Sequence, residues 1–229
     1  MKAHHSNTQS LRSLADLLKT PFAGEVNAMC LERELQGDFS EIVGKIDMEG
    51  DLTVVELADL IRLDLSSEGQ LARQVILNDM AALSDFGASP VLNVIRNYAG
   101  DEEGFFFPTD VYSFHVDRSP VPTATFLCTY FGDTSEILPN DEARQKSLIP
   151  EIRSALRDLC DGSEEAFEEF LKEHFFDLHY EAKPDAQIIK MAVGELWKLA
   201  VDYPDSPVQP CIHRAPREVS GQKRLLLIC

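Results

Sequence analysis

His115-Val116-Asp117 places an imidazole and a carboxylate two residues apart near the end of an expected strand. A strand's period of two puts both on one face, where they can reach a single ion. His213 closes a second expected strand. Two histidines with one carboxylate make the facial set that holds ferrous iron and leaves coordination positions open. Open positions are what oxygen and an organic ligand require. Arg224 stands at the eleventh position after His213, at the start of the last expected strand and beyond a turn marked by Pro216 and Ser220-Gly221. Its guanidinium fork matches a carboxylate in geometry and charge. His-x-Asp alone is a weak signal, because such pairs commonly lie on surfaces or as satisfied core pairs. The distal histidine, the arginine spacing and the strand setting together make the case for a metal site.

Strands must carry these residues. Residues 1–88 read as a helical support layer with helices at 11–19, 39–46, 54–63 and 71–83. Apolar residues there recur at three- and four-residue spacing, as in Leu71, Val75, Ile76, Met80 and Leu83. Runs rich in β-branched and aromatic residues follow at 91–98, 110–116 and 123–131. Residues 141–176 carry two further helical stripes, 141–159 and 163–176, the second with Ser163 as N-cap and Glu164 and Glu165 in an acidic first turn. Strands resume at 186–192, 195–201, 208–213 and 223–229, with Gly194 and Ser220-Gly221 as turns. Strand blocks at 89–140 and 177–229 around a helical insertion at 141–176 predict one domain over 1–229. Its class is α+β and mainly β: a cupin-like jelly roll, or double-stranded β-helix, rather than an alternating βαβ fold.

His-x-Asp, a distal histidine and an arginine eleven residues later resemble the iron(II)/2-oxoglutarate-dependent dioxygenase superfamily. The resemblance implies that His115, Asp117 and His213 bind Fe(II), and that 2-oxoglutarate chelates the metal while Arg224 pairs with its far carboxylate. Oxygen would take the remaining position. The implied reaction is decarboxylation of 2-oxoglutarate to succinate and carbon dioxide, coupled to oxidation of a substrate C–H bond. The run from Leu92 to Tyr98 is similar to arginine- and tyrosine-bearing strands of prolyl-hydroxylase-like members, which adds Tyr98 as a co-substrate contact. Gly194-Glu195-Leu196 sits where the superfamily often has a Gly-Asp turn. More closely, FHVDRSP, LCTYFGDTSEILPN, IHRAP and KRLLL look like a bacterial domain family of unassigned function, from about residue 90 to the end. Two departures stand out: Leu226 occupies a position where many relatives have serine, and the interval from Asp117 to His213 is long.

Other residues are candidates for the pocket. Arg96 shares a strand face with Tyr98, Arg118 adjoins the ligand pair, and Arg214 follows the distal histidine and points to the opposite face if the strand continues. Trp197 and the Phe105-Phe106-Phe107 run are either a substrate wall or core, with core the safer reading. His174 and His179, at a helix exit, show no ligand spacing with each other, and His4 and His5 lie at the start of the chain; all four are set aside. Glu164, Glu165, Glu168 and Glu169 read as a solvated helix face.

Composition bounds the partners. With 39 acidic against 21 basic residues and a formal charge of −18, the chain repels nucleic-acid phosphates and anionic membranes. No run approaches the roughly 20 apolar residues of a membrane span, and residues 1–20 lack a signal-peptide core. A cytoplasmic protein acting on a small molecule, amino acid or peptide is expected. Five widely spaced cysteines without a CxxC pair read as mostly buried thiols. The helical start either supports the barrel or forms a homodimer interface. Two rival functions fit the same residues: a cupin-like metalloenzyme without 2-oxoglutarate, in which Arg224 is structural, and a non-catalytic metal-binding module in metal homeostasis.

Overall fold

Alternating side chains on short strands build two facing β-sheets, and a layer of helices covers the outer side of the larger one. The computed structural model describes residues 7–98, 107–217 and 221–229. His4, His5, Phe105, Phe106 and Ser220, named above, lie outside the described residues. The strands, in chain order, are β1 (Thr8–Leu11), β2 (Ala28–Leu31), β3 (Leu52–Val54), β4 (Val91–Ile95), β5 (Phe114–His115), β6 (Ala124–Phe131), β7 (Glu136–Leu138), β8 (Ala143–Gln145), β9 (His179–Ala182), β10 (Ile189–Lys190), β11 (Leu196–Ala200), β12 (Ile212–Arg214) and β13 (Arg224–Ile228). The larger sheet has the order β1-β2-β11-β6-β13-β4-β3 and the smaller β10-β7-β12-β5-β9-β8. From β4 to β7 successive strands alternate between the sheets, and β11, β12 and β13 alternate again. The chain is therefore α+β and sheet-rich, as its sequence predicts.

Period-two alternation divides the core. On β6, Phe126, Cys128 and Tyr130 face outward toward helices α1 (Leu14–Lys19), α2 (Phe39–Lys45), α3 (Leu57–Arg62) and α4 (Ser67–Phe86). Leu127 faces inward with Trp197, Leu199 and Leu226, and meets Ile137 and Cys211 of the smaller sheet's side. Each such side chain withdrawn from water stabilises the fold by about 1.5–3 kcal/mol before entropy is counted. The outer face of the smaller sheet buries Phe114, Val116, Leu138, Leu178 and Ile212. Helices α5 (Pro150–Arg157) and α6 (Glu164–Glu173) add a satellite cluster of Phe107, Leu156, Phe167, Leu171 and Phe176.

Helix α4 is locked to the larger sheet by charge as well as by packing. Arg33 donates to both carboxylate oxygens of Asp79 on α4, and its Nε donates to the Gly194 carbonyl at 2.9 Å. The Tyr130 hydroxyl donates to Asp79 at 2.6 Å.

Several sequence expectations are corrected. The 1–88 layer is not purely helical, since β1, β2 and β3 join the larger sheet. β2 is buried at all four positions, so it lacks the alternation that marks a half-exposed strand. The expected strand at 110–116 shrinks to Phe114–His115, because the Asp110 carboxylate accepts from the backbone N–H of Tyr112 and Ser113 and turns the chain. The expected helix at 141–159 breaks into two short 3-10 turns, strand β8 and α5. Pro150 sits at the first turn of α5, the place a helix accepts proline. Ser163 does cap α6, accepting from the Ala166 N–H.

Candidate metal centre

His115 and His213 lie directly opposite each other, as the registered pair that joins β5 to β12. Their rings are 4.7 Å apart. Asp117 follows two residues after His115, just beyond the end of β5, and its carboxylate turns toward both imidazoles. One carboxylate oxygen lies 4.0 Å from His115 Nε2 and the other 3.7 Å from His213 Nε2. One ligand atom from each of the three residues fits within 4.8 Å of the others.

Backbone carbonyls set the tautomers. His115 Nδ1 lies 2.7 Å from the Ser113 carbonyl, and His213 Nδ1 lies 3.2 Å from the Cys211 carbonyl. A carbonyl oxygen only accepts, so each Nδ1 carries the proton and each Nε2 lone pair is left for the site. Burial, reinforced by the neighbouring His213, pushes the His115 pKa down to about 4, which keeps that imidazole neutral at pH 7. Burial acts upward on Asp117, but His213, a Thr125 hydrogen bond and His115 outweigh it and hold the carboxyl below its ordinary range. Thr125 on β6 donates its hydroxyl to Asp117 Oδ2. Nitrogen lone pairs and a carboxylate converging in this way form a donor set that suits a first-row divalent metal.

Arg224 opens β13 and is 1% exposed. It lies on the inward face with Leu226. Its Nη2 donates to Thr129 Oγ1 at 3.0 Å and to Ser135 Oγ at 2.8 Å. Each hydroxyl accepts from the guanidinium and keeps its own O–H proton to give to an anion. Leu226 pairs directly across from Thr129, so a hydroxyl stands on the neighbouring strand beside the position where a serine is missing. Gly132 permits this approach: a Cβ there would lie 2.6 Å from the Lys223 carbonyl and 3.0 Å from Arg224 Cα, and its φ of +89° favours glycine.

The other sequence candidates are scattered. Tyr98 is partly buried against the inter-sheet cluster and stacks edge-on with Tyr112 at 5.9 Å. Arg96 is exposed just past the end of β4. Arg118 is paired with Asp177 and Asp202. Arg214 faces the outer side of the smaller sheet, where it pairs with Glu136 at 2.7 Å and lies over the Phe114 ring at 4.1 Å. Trp197 is in the inter-sheet core and donates to Glu195 at 3.1 Å.

Sequence reasoning missed Thr125, Thr129 and Ser135, and set His179 aside. The alternation of Thr125, Leu127 and Thr129 could have marked one inward polar face. His179 pairs across β9 with His115, a contact 64 positions apart that no local spacing reveals.

Residues 111–229, more than half of the chain, match the family described as Protein of unknown function (DUF1826). The chain belongs to this family. The DUF1826 match takes in His115, Asp117, His213 and Arg224, along with the motifs that pointed to a domain family of unassigned function. No curated protein matches the chain significantly. Among the described residues, no helix is long and apolar enough to cross a membrane.

Proposed function

We propose that this DUF1826 chain is a non-haem Fe(II)/2-oxoglutarate-dependent oxygenase that oxidises a small molecule or an amino-acid or peptide substrate. The observation that carries the reading is the registered His115–His213 pair with Asp117, its three donor atoms within 4.8 Å. The strand order supports it: β4-β13-β6-β11 in one sheet and β5-β12-β7-β10 in the other is the interleaving expected of a double-stranded β-helix. His115 then ends its second strand, with Asp117 just beyond it, His213 lies on its seventh and Arg224 on its eighth.

His115, Asp117 and His213 would hold the iron through two imidazole nitrogens and a carboxylate, leaving positions open. Iron with bound 2-oxoglutarate supplies the oxidising chemistry, which belongs to the cofactor rather than to the protein. The protein's part is positioning. Arg224, with the Thr129 and Ser135 hydroxyls, receives the far carboxylate, and the apolar inter-sheet layer excludes water. Thr125 fixes the orientation of Asp117. The test is Fe(II)- and oxygen-dependent conversion of 2-oxoglutarate to succinate, which the wild type performs and His213→Ala does not. Iron binding without succinate across a broad substrate panel contradicts the reading.

A second reading, a metalloenzyme that does not use 2-oxoglutarate, draws on one observation. The hydrogen bonds from Arg224 to Thr129 and Ser135 also give the arginine a purely structural task, tying β13 to β6 and to the turn before β7. Oxygen consumption without succinate would favour it.

A further inference from the structure

A third histidine continues the row. His213, His115 and His179 are registered partners on the adjacent strands β12, β5 and β9, and directly paired residues share a sheet face. The His179 ring lies 5.9 Å from that of His115 and 6.3 Å from that of Phe107. The residue is 4% exposed. Among the described residues, the group able to hold an ion comprises His115, Asp117 and His213 without His179, so His179 is a neighbour of the centre and not a fourth ligand. It lines a cleft of about 250 Å³ together with His115, Asp117, Phe175 and Leu178. That volume is below the ~300–1,000 Å³ typical of pockets for drug-sized ligands, and suits a small molecule or one end of a larger one.

We propose that His179 is a substrate-binding residue of the metal centre. Its imidazole forms part of the polar wall of the cleft and makes one hydrogen bond to a polar group of the molecule bound beside His115 and Asp117. Phe175 and Leu178 take that molecule's apolar part. Thr109, Asp110 and Arg118 also line the cleft; His179 is the polar lining residue that the sheet registers directly against His115. The proposal rests on the metal-centre reading and adds to it a side chain that selects what binds at the open positions.

The test uses the full chain loaded with Co(II), whose d–d absorption reports metal binding, and azide as a small exogenous ligand. His179→Phe keeps a ring against Phe107 and removes the hydrogen bond, and His179→Gln restores a donor and an acceptor. The expected result is unchanged Co(II) affinity in both, azide binding weakened about five- to tenfold in His179→Phe, the equivalent of one lost hydrogen bond, and recovery in His179→Gln. His179→Leu carries the same expectation if the phenylalanine variant does not fold. Wild-type azide affinity in the apolar variants would overturn the proposal and return His179 to the core. Loss of Co(II) as severe as in His213→Ala would overturn it in favour of a ligand role. Failure of the wild type to bind Co(II) would remove the metal centre itself, and this proposal with it.

Discussion

Thr125 and Thr129 lie four residues apart on the inward face of β6, and each secures one end of the candidate site. Thr125 donates to Asp117, and Thr129 accepts from Arg224. At about 3.3 Å per residue the two threonines are about 13 Å apart along the strand. One strand thereby sets the spacing between the candidate metal ligands and the guanidinium. Removing either hydroxyl should impair one end and spare the other.

Thr125→Val keeps the shape of the side chain and removes the hydroxyl that orients Asp117. Loss of such an outer partner typically costs about 10–100-fold in metal affinity. Competition titration with a metal-binding dye should show that loss. Thr129→Val should leave metal affinity as in the wild type and weaken 2-oxoglutarate binding instead.

Gly132→Ala should act through backbone. The new Cβ would press on the Lys223 carbonyl and Arg224 Cα, at a φ that side chains avoid. Destabilisation of about 1–3 kcal/mol is expected, read as a lower urea midpoint, together with weaker 2-oxoglutarate binding because Arg224 moves.

Asp79→Ala leaves Arg33 without its carboxylate and the Tyr130 hydroxyl without its acceptor. Breaking a buried pair costs about 3–5 kcal/mol. Denaturation should show that loss, while metal affinity under conditions where the protein remains folded stays unchanged.

Alkaline stability should depend on Cys128. Burial pushes its pKa up to about 12 from the ordinary 9.0, so the folded state holds the thiol proton more tightly than the unfolded chain does. The resulting stabilisation is fully present below pH 9 and is lost as pH rises toward 12. Denaturation midpoints in Cys128→Ala should fall less steeply across that window than in the wild type.

The candidate metal group was legible because two strand ends and a two-residue spacing bring His115, Asp117 and His213 together. Arg224 was legible from its spacing and strand position. The supporting hydroxyls and His179 were not, because they meet the site through pairings such as His179 with His115 and Arg224 with Thr129, which join distant parts of the chain. The larger helices were legible from apolar spacing, yet Asp79 lies on the buried face of α4 and Leu71, part of the expected stripe, is 47% exposed. Arg33, far away in the sequence, explains the buried acid. β2 escaped notice because burial on both faces erases alternation, and 110–116 misled because the Asp110 turn consumes most of an otherwise strand-like run.

The most direct test is anaerobic titration of the Fe(II)-loaded chain with 2-oxoglutarate, following the weak visible metal-to-ligand charge-transfer band that the resemblance to iron(II)/2-oxoglutarate-dependent dioxygenases implies for chelation at open positions. The band should appear in the wild type, need far more 2-oxoglutarate in Arg224→Ala, and be absent in His213→Ala. Iron binding with no band in the wild type would contradict the co-substrate assignment, and iron bound equally well by His213→Ala would contradict the metal centre.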